Sequence, residues 1–104
     1  MKKGEWTFLS NHGRVLAYIA KHNQSVIQEI AQDIGLSIAG TQKIISDLNK
    51  GGYVVRMREG RQNRYIVYPY KPLRHPLLKD HMVIDVLKAV GCNFENILID
   101  SENE

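Results

Sequence analysis

The sequence predicts an α+β fold that is mainly α, with three helices, a two-stranded β-hairpin and a further C-terminal helix. Apolar residues recur at helical spacing up to residue 50 and again from residue 77 onward. Between these stretches, residues 53–68 alternate aromatic and β-branched residues with arginines on both sides of Gly60, which is the pattern of a hairpin. A chain of 104 residues has the length of one domain.

The first helix is expected to begin at Ser10 or Asn11, because either side chain can cap free backbone amides, and to end near Lys21. Residues 22–24 then interrupt the apolar pattern. The inner face of this helix is predicted from its apolar residues, Val15, Leu16, Ile19 and Ala20.

The second helix is predicted over residues 27–34. Ser25 and Gln28 have the spacing of a capping box, in which each side chain bonds the backbone amide of the other residue. Gly35 follows the helix, and glycine readily takes the left-handed conformation that ends many helices. A tight turn through Leu36 therefore leads into a third helix.

The third helix is predicted over residues 38–50, with Ser37 as its N-cap and two glycines after its last residue. Its core-facing residues are expected to be Thr41, Ile45 and Leu48, with Ile44 at the edge of the stripe. Its opposite face is expected to carry Ile38, Ala39, Gln42, Lys43, Ser46 and Asn49. Small and polar residues of this kind suit close approach to base edges, although they also suit an ordinary solvated face.

The hairpin is predicted to have strands over residues 53–58 and 64–68, joined by a turn over residues 59–63. Gly60 can supply the unusual backbone angle that such a turn needs. Arginine side chains pair well with phosphate oxygens, and the tip of the hairpin is polar and basic. The residues expected at or near the tip are Arg61, Gln62, Asn63 and Arg64.

Three prolines, at positions 69, 72 and 76, mark a connector that can be neither a regular helix nor a central strand. A fourth helix is predicted over residues 77–90. Its apolar stripe is too broad to be left exposed, so we expect it to pack on the first helix, on a second subunit, or on both. The residues expected to form a dimer interface are Leu78, Met82, Val83, Val86, Leu87 and Val90.

Charge is unevenly distributed along the chain, whose net charge is +3. Residues 1–70 contain ten lysines and arginines against five acidic residues, whereas residues 71–104 contain four against six. We expect a basic unit over residues 1–70 that suits a polyanion such as DNA, a connector and dimerisation helix over 71–91, and a flexible acidic tail over 92–104. Basic clustering also fits a merely solvated hairpin.

No apolar run reaches the ~20 residues that a membrane-spanning helix needs. No apolar segment follows the N-terminal lysines, so we expect no signal peptide. Cys92 is the one cysteine, which excludes an internal disulfide and suits a reducing compartment. We therefore expect a cytoplasmic protein without a membrane partner.

No catalytic constellation is recognisable, and no enzyme activity or cofactor is expected. His81 and Asp85 are spaced so that one helix could present both to a metal, but a surface ion pair is the simpler interpretation. The remaining histidines form no ligand pattern, so no metal site is predicted. Cys92 could sense redox state, although a structural role is the commoner one.

The helical pattern around residues 30–37, the glycine and tyrosine at 52–53 and the wing at 58–65 resemble winged helix-turn-helix regulators of the MarR/ArsR-like group. The resemblance covers roughly residues 12–68. It implies a fold with a three-helix core and a two-stranded β-wing. It also implies a dimeric transcriptional regulator that binds a palindromic site in double-stranded DNA.

The resemblance places the third helix in the major groove and the wing on the backbone or in the minor groove. Ile44 would then either touch a thymine methyl group or simply pack. A winged-helix module that binds other proteins, or a non-specific DNA-binding protein, is the alternative. A small-molecule effector is not indicated by the sequence. The residues expected to contact DNA are Ser37, Ile38, Ala39, Gln42, Lys43, Ser46, Lys50, Arg56, Arg58, Arg61, Gln62, Asn63 and Arg64.

Overall fold

The computed structural model describes residues 6–60 and 62–92. The elements in chain order are the helices α1 (Asn11–Lys21), α2 (Ile27–Ile34) and α3 (Ile38–Lys50), the strands β1 (Val54–Glu59) and β2 (Gln62–Val67), a 3-10 turn (Pro76–Leu78) and the helix α4 (Val83–Ala89). The predicted α+β, mainly α fold is confirmed. The expectations for Arg61 and for the tail over residues 93–104 lie outside the described residues.

The start of α1 follows the sequence signal closely. The Ser10 hydroxyl accepts a hydrogen bond from the Gly13 backbone amide at 3.1 Å, so Ser10 is the N-cap. This bond satisfies one of the amides that have no partner within the first turn of a helix. The helix ends at Lys21, and its inner face contributes Val15 and Ile19, which are fully buried.

The predicted capping box of α2 is wrong by one position. Val26 is the N-cap, and the Glu29 carboxylate accepts a hydrogen bond from the Val26 amide at 3.2 Å. Ser25 is buried and instead donates its hydroxyl hydrogen to the His22 carbonyl at 3.0 Å. A local bond to the preceding turn therefore competes with capping for this serine. Gly35 ends the helix in the left-handed conformation, with φ of 86°, as predicted.

The third helix begins where the sequence predicts. The Ser37 hydroxyl accepts from the Gly40 amide at 2.9 Å, and the Thr41 hydroxyl donates to the Ser37 carbonyl at 2.9 Å. Ile44 and Ile45 are both buried, so Ile44 packs in the core and is not free to touch a base. Hydrophobic burial on this face fixes the orientation of α3 and turns its opposite face outward.

The turn of the hairpin is shorter than predicted, and the second strand begins two residues earlier. Strands β1 and β2 pair antiparallel from Val54 opposite Val67 to Glu59 opposite Gln62, which leaves two positions between them. Residues 62 and 63 therefore belong to β2 and not to the loop. Val54 and Val67 are buried at the base of the hairpin, whereas the outer part of β1 is exposed.

Tyr65 anchors the hairpin to the helices. Its side chain is 1% exposed, and its backbone amide donates to the carbonyl of Asn23, in the loop between α1 and α2, at 2.9 Å. The core joins inward residues of α1, α2 and α3 to the hairpin base and to Val83 and Leu87 of α4. The position of the wing relative to α3 is thus set by burial at its base.

The predicted single helix over residues 77–90 is wrong. A 3-10 turn over Pro76–Leu78 is followed by a non-helical stretch, and α4 begins only at Val83. The reason is long-range backbone pairing: the Leu73 amide donates to the His81 carbonyl and the Val83 amide to the Lys71 carbonyl, each at 2.9 Å. These bonds hold the chain extended just before α4. No helix in the described ranges is long and apolar enough to cross a membrane.

Candidate nucleic-acid interface

The outer face of α3 is polar and accessible. Ala39, Gln42 and Lys43 are exposed, Ser46 is half-buried, and Ile38 in the first turn is 45% exposed. This exposure follows directly from the burial of the opposite face, because residues three or four apart share one side of a helix. The first two turns of α3 thus present two apolar side chains, one carboxamide and one lysine to the outside.

A cleft of about 340 Å³ separates this face of α3 from strand β1. We call it the helix cleft. It brings together Gln42, Ser46 and Lys50 of α3 and Arg56 of β1, four of the residues expected to contact DNA. Its lining residues are Gln42, Ile45, Ser46, Asn49, Lys50 and Arg56.

A second cleft of about 420 Å³ lies between the wing and the beginning of α2, and we call it the wing cleft. Gln42 and Arg56 line both clefts, so the two adjoin and form one groove between α3 and the wing. The residues that line the wing cleft are Ile27, Gln42, Arg56, Arg58 and Asn63.

Three lining residues are absent from the residues predicted to contact DNA: Ile27, Ile45 and Asn49. Ile45 is 2% exposed and belongs to the core, so it only borders the cleft. Asn49 lies on the outer face of α3 seven residues after Gln42, so helical spacing alone could have added it. Ile27 begins α2, and no local signal connects it with the wing. Its position depends on how the helices pack, which a pattern read along one segment does not contain.

Lys43 is exposed to solvent but forms an ion pair with Asp47. Its ammonium group lies 2.8 Å from Asp47 Oδ1, and its side chain is 74% exposed. Asp47 Oδ2 lies 2.8 Å from His12 Nε2 on α1. The hydrogen bonds from Lys43 and from His12 lower the pKa of the Asp47 carboxyl to about 2. Asp47 is therefore ionised at neutral pH and offsets the positive charge that Lys43 offers to a polyanion.

The arginines of the wing differ in how many contacts they already make within the protein, and so in how free they are to bind a phosphate. Arg64 is half-buried and its guanidinium lies 3.3 Å from the Glu59 carboxylate across the hairpin. Arg58 donates through Nε to the Gly60 carbonyl at 3.0 Å, which leaves its two terminal nitrogens for another acceptor. Arg56 is exposed and forms no ion pair with any described residue. Gln62 is exposed, and Arg61 is not among the described residues.

The predicted dimerisation residues fall into two groups. Val83 and Leu87 are 3% and 1% exposed within the chain's own core, so they are not accessible to a second subunit. Val86 and Val90 are half-buried. Leu78 and Met82 are each 44% exposed, and the neighbouring Leu77 is 81% exposed. An accessible apolar patch therefore exists, but it lies on the 3-10 turn and before α4 more than on the helix itself.

The Cys92 thiol lies in the core, whereas His81 and Asp85 lie on the surface. Cys92 is buried, its thiol lies 3.9 Å from the Ala17 carbonyl, and burial raises its pKa, although Lys21 acts in the opposite direction. A raised pKa lowers the thiolate fraction and hence the reactivity. His81 Nδ1 lies 3.8 Å from Asp85 Oδ2 on the surface. Within residues 6–60 and 62–92, no three His, Cys, Asp or Glu side chains are grouped to hold a metal ion.

Comparison with known proteins supports the architecture. No protein-family model and no curated protein sequence matches the chain. Among solved structures, the chain resembles ZitR of Lactococcus lactis, described as a zinc-responsive MarR family member. The match has a TM-score of 0.54 and 16% identity, and it covers 96% of this chain and 69% of that protein. The fold is therefore the winged helix-turn-helix fold, as predicted from the sequence.

Proposed function

We propose that the protein is a sequence-specific transcriptional regulator that binds double-stranded DNA as a homodimer, without catalytic activity or a cofactor. The observation that carries this proposal is the groove between α3 and β1, where Gln42 faces the same space as Arg56. A carboxamide on an accessible helix beside a basic hairpin combines a group that can read a base with groups that can hold phosphates. Structural likeness to a MarR family member supports the same role.

Sequence reading is assigned to the first half of α3. Proteins with this motif insert the recognition helix into the major groove and use its N-terminal residues on base edges. Gln42 is the best candidate for a bidentate contact with adenine, because its carboxamide matches the N6 and N7 positions. Ile38 and Ala39 could contact thymine methyl groups, while Ser37, Lys43 and Ser46 add polar contacts. Their exposure supports this assignment.

Phosphate binding is assigned to the basic residues around the groove and at the wing. Lys50, Arg56 and Arg58 have no carboxylate partner among the described residues, so they are the strongest candidates. Lys43 and Arg64 would have to share their charge with Asp47 and Glu59. Arg61, Gln62 and Asn63 complete the wing contact in this proposal, on the backbone or in the minor groove.

Dimerisation is assigned to the accessible apolar residues near α4. Leu78 and Met82, with the half-buried Val86 and Val90, can form a self-complementary patch around a two-fold axis. Val83 and Leu87 would support that patch from inside the core. A two-fold dimer presents two recognition helices, and the preferred DNA site is then a palindrome.

The test is fluorescence anisotropy of the purified protein with the duplex upstream of its own gene and with a scrambled duplex, at several salt concentrations. Tighter binding to the upstream duplex that persists at physiological salt supports sequence-specific regulation. Equal binding to both duplexes with a steep salt dependence indicates a non-specific DNA-binding protein. Absence of binding to either duplex at low salt contradicts the proposal and favours a protein-interaction module.

A further inference from the structure

The wing cleft is lined by cationic and amide groups from three separate elements. Arg56 and Arg58 come from β1, Asn63 from β2 and Gln42 from α3, while Ile27 forms an apolar wall. We propose that the wing cleft is an oxyanion site that binds one phosphate group in the absence of DNA, and that a phosphate-bearing small molecule bound there competes with DNA. The binding itself is independent of the proposed function, and only the competition rests on it.

The donors in the wing cleft suit a tetrahedral oxyanion. A guanidinium offers several N–H donors in a fixed plane, and bonds from charged donors to phosphate oxygens are among the strongest in proteins. Among the described residues only Nε of Arg58 has a hydrogen-bond partner, the Gly60 carbonyl, so its terminal nitrogens can bond an anion. Asn63 and Gln42 each carry a carboxamide NH₂ group that can add two neutral donors.

Within residues 6–60 and 62–92 no carboxylate lines the wing cleft, and Glu59 and Glu29 each have another partner. Glu59 pairs with Arg64 across the hairpin. Glu29 accepts a hydrogen bond from the Val26 amide at the start of α2. The first residue of α2, Ile27, borders the cleft, so the positive end of that helix dipole adds to the potential of the two arginines. Glu29 keeps its negative charge in the first turn of α2 and offsets part of this dipole, so the two arginines supply most of the positive potential in the cleft.

A buried phenol, that of Tyr65, lies beneath the hairpin surface next to residues that line the wing cleft. Tyr65 is 1% exposed, and its hydroxyl has no hydrogen-bond partner among the described residues. It pairs with Arg56 across the two strands. Burial raises the pKa of the Tyr65 phenol, and the nearby Asn63 amide and Arg56 guanidinium act in the opposite direction. Buried hydroxyls are normally satisfied, and Asn63 and Arg56 both line the wing cleft.

The test is an NMR titration of the DNA-free 104-residue protein with inorganic phosphate, compared with sodium chloride at matched ionic strength. We expect saturable shifts of the Gln42 and Asn63 side-chain NH₂ signals and of Arg56 Nε–H, with phosphate and not with chloride. Arg56→Gln should weaken phosphate binding about tenfold, since it removes one charge-assisted contact. Arg58→Gln provides a second variant in case Arg56→Gln alters the packing of Tyr65. Arg74→Gln, an exposed arginine outside the wing cleft, is the matched control and should bind phosphate as the wild type does.

A second arm distinguishes the sources of the phosphate group. Dimethyl phosphate resembles the DNA backbone diester, whereas inorganic phosphate resembles the terminal group of a phosphorylated small molecule. Tighter binding of inorganic phosphate than of dimethyl phosphate supports the proposed ligand class. Equal or preferred binding of dimethyl phosphate overturns the small-molecule ligand and identifies the cleft as a backbone contact only. Linear shifts without saturation, or unchanged binding in both arginine variants, overturn the site itself.

Competition is then measured with the anisotropy assay, and its outcome separates this proposal from the DNA-binding proposal. Inorganic phosphate should displace the duplex more effectively than chloride at equal ionic strength, and Arg74→Gln should behave as the wild type. Saturable phosphate binding without any DNA binding would retain the site and contradict the proposed function. DNA binding without phosphate binding would retain the function and contradict the site.

Discussion

His12 Nε2 lies 2.8 Å from Asp47 Oδ2 and thereby joins the first turn of α1 to the second half of α3. The other oxygen of Asp47 accepts from Lys43, so one carboxylate links the helix that packs behind α3 with a residue on the outer face of α3. Both contacts are solvent-accessible. Pairs of this kind add little to stability, but they fix side-chain positions.

Asp47 should make the stability of the protein depend on pH in acid. Lys43 first, and then His12, lower the pKa of its carboxyl from 3.8 to about 2. A carboxyl with a lower pKa in the folded state stabilises the fold above its unfolded pKa, and this contribution is lost as the pH falls through the folded pKa. We expect Asp47→Asn to have a slightly lower free energy of unfolding than the wild type at about pH 6, and the difference to vanish between about pH 4 and pH 2.

Urea denaturation at a series of pH values measures this effect. Asp80→Asn is the matched control, because Asp80 is exposed and forms no ion pair with another described residue. Its difference from the wild type should stay flat across the same window. A difference for Asp47→Asn that persists unchanged to pH 2 would contradict the assigned role of the carboxylate.

Gly35 should be required by the turn between α2 and α3. Its φ of 86° lies in the left-handed region, where a Cβ atom collides with the backbone. We expect Gly35→Ala to lower the free energy of unfolding by roughly 1–2 kcal/mol. Gly13→Ala, in α1, places its Cβ no closer than 3.4 Å to Leu9 and should instead stabilise the protein by up to ~1 kcal/mol. Denaturant titrations of both variants measure the two signs, and similar effects would contradict the conformational explanation.

Local signals predict most of the fold because each depends on a few neighbouring residues. Ser10 and Ser37 cap the helices that follow them, and Gly35 takes the left-handed conformation that its place after α2 requires. Helical spacing likewise predicts which face of α3 is buried. Ser25 is the exception. Its hydroxyl could either cap α2 or bond the His22 carbonyl, and the sequence does not indicate that the second bond forms.

The remaining features depend on contacts between distant segments. The break before α4 follows from the bridge between Pro72 and Met82, and no helical pattern within residues 77–90 reveals that pairing. The contact of Asp47 with His12 spans 35 positions, whereas its contact with Lys43 has the i, i+4 spacing that a sequence can show. The groove between α3 and the wing is similarly a product of packing, so its basic residues were predictable but their convergence with Gln42 was not.

Gln42→Ala should reduce sequence preference. If the carboxamide bonds one base in a bidentate manner, its removal costs ~1–3 kcal/mol of binding free energy on the preferred duplex. Binding to a scrambled duplex should change little, because that binding depends on phosphate contacts. Anisotropy titrations of both duplexes measure the difference. Equal losses on both duplexes would remove the base-reading role from Gln42.

Arg58→Ala should weaken binding to every duplex alike. A phosphate contact contributes no direct sequence information, and its loss reduces the slope of log affinity against log salt concentration by about one. The measurement is the affinity for the preferred and the scrambled duplex over a range of salt concentrations. Lys88→Ala, an exposed lysine on α4, is the matched control and should leave both affinities and the slope unchanged. An unchanged slope for Arg58→Ala would place this arginine outside the phosphate contact.

Leu78→Glu should convert the proposed dimer into a folded monomer. Leu78 is 44% exposed, so a carboxylate at this position stays solvated in the monomer. In a dimer the interface would bury that carboxylate without a cation to pair with it, which is costly. Lys79→Glu is the matched control, since it changes charge at the next position without removing apolar surface, and it should remain dimeric. Leu87→Ala acts differently: Leu87 is 1% exposed, so its truncation should destabilise the fold by ~2–5 kcal/mol. Sedimentation velocity measures association and denaturant titration measures stability. A monomeric wild type, or a Leu78→Glu variant that sediments as a dimer, would contradict an interface at this patch and direct the search for the dimer contact to other surfaces.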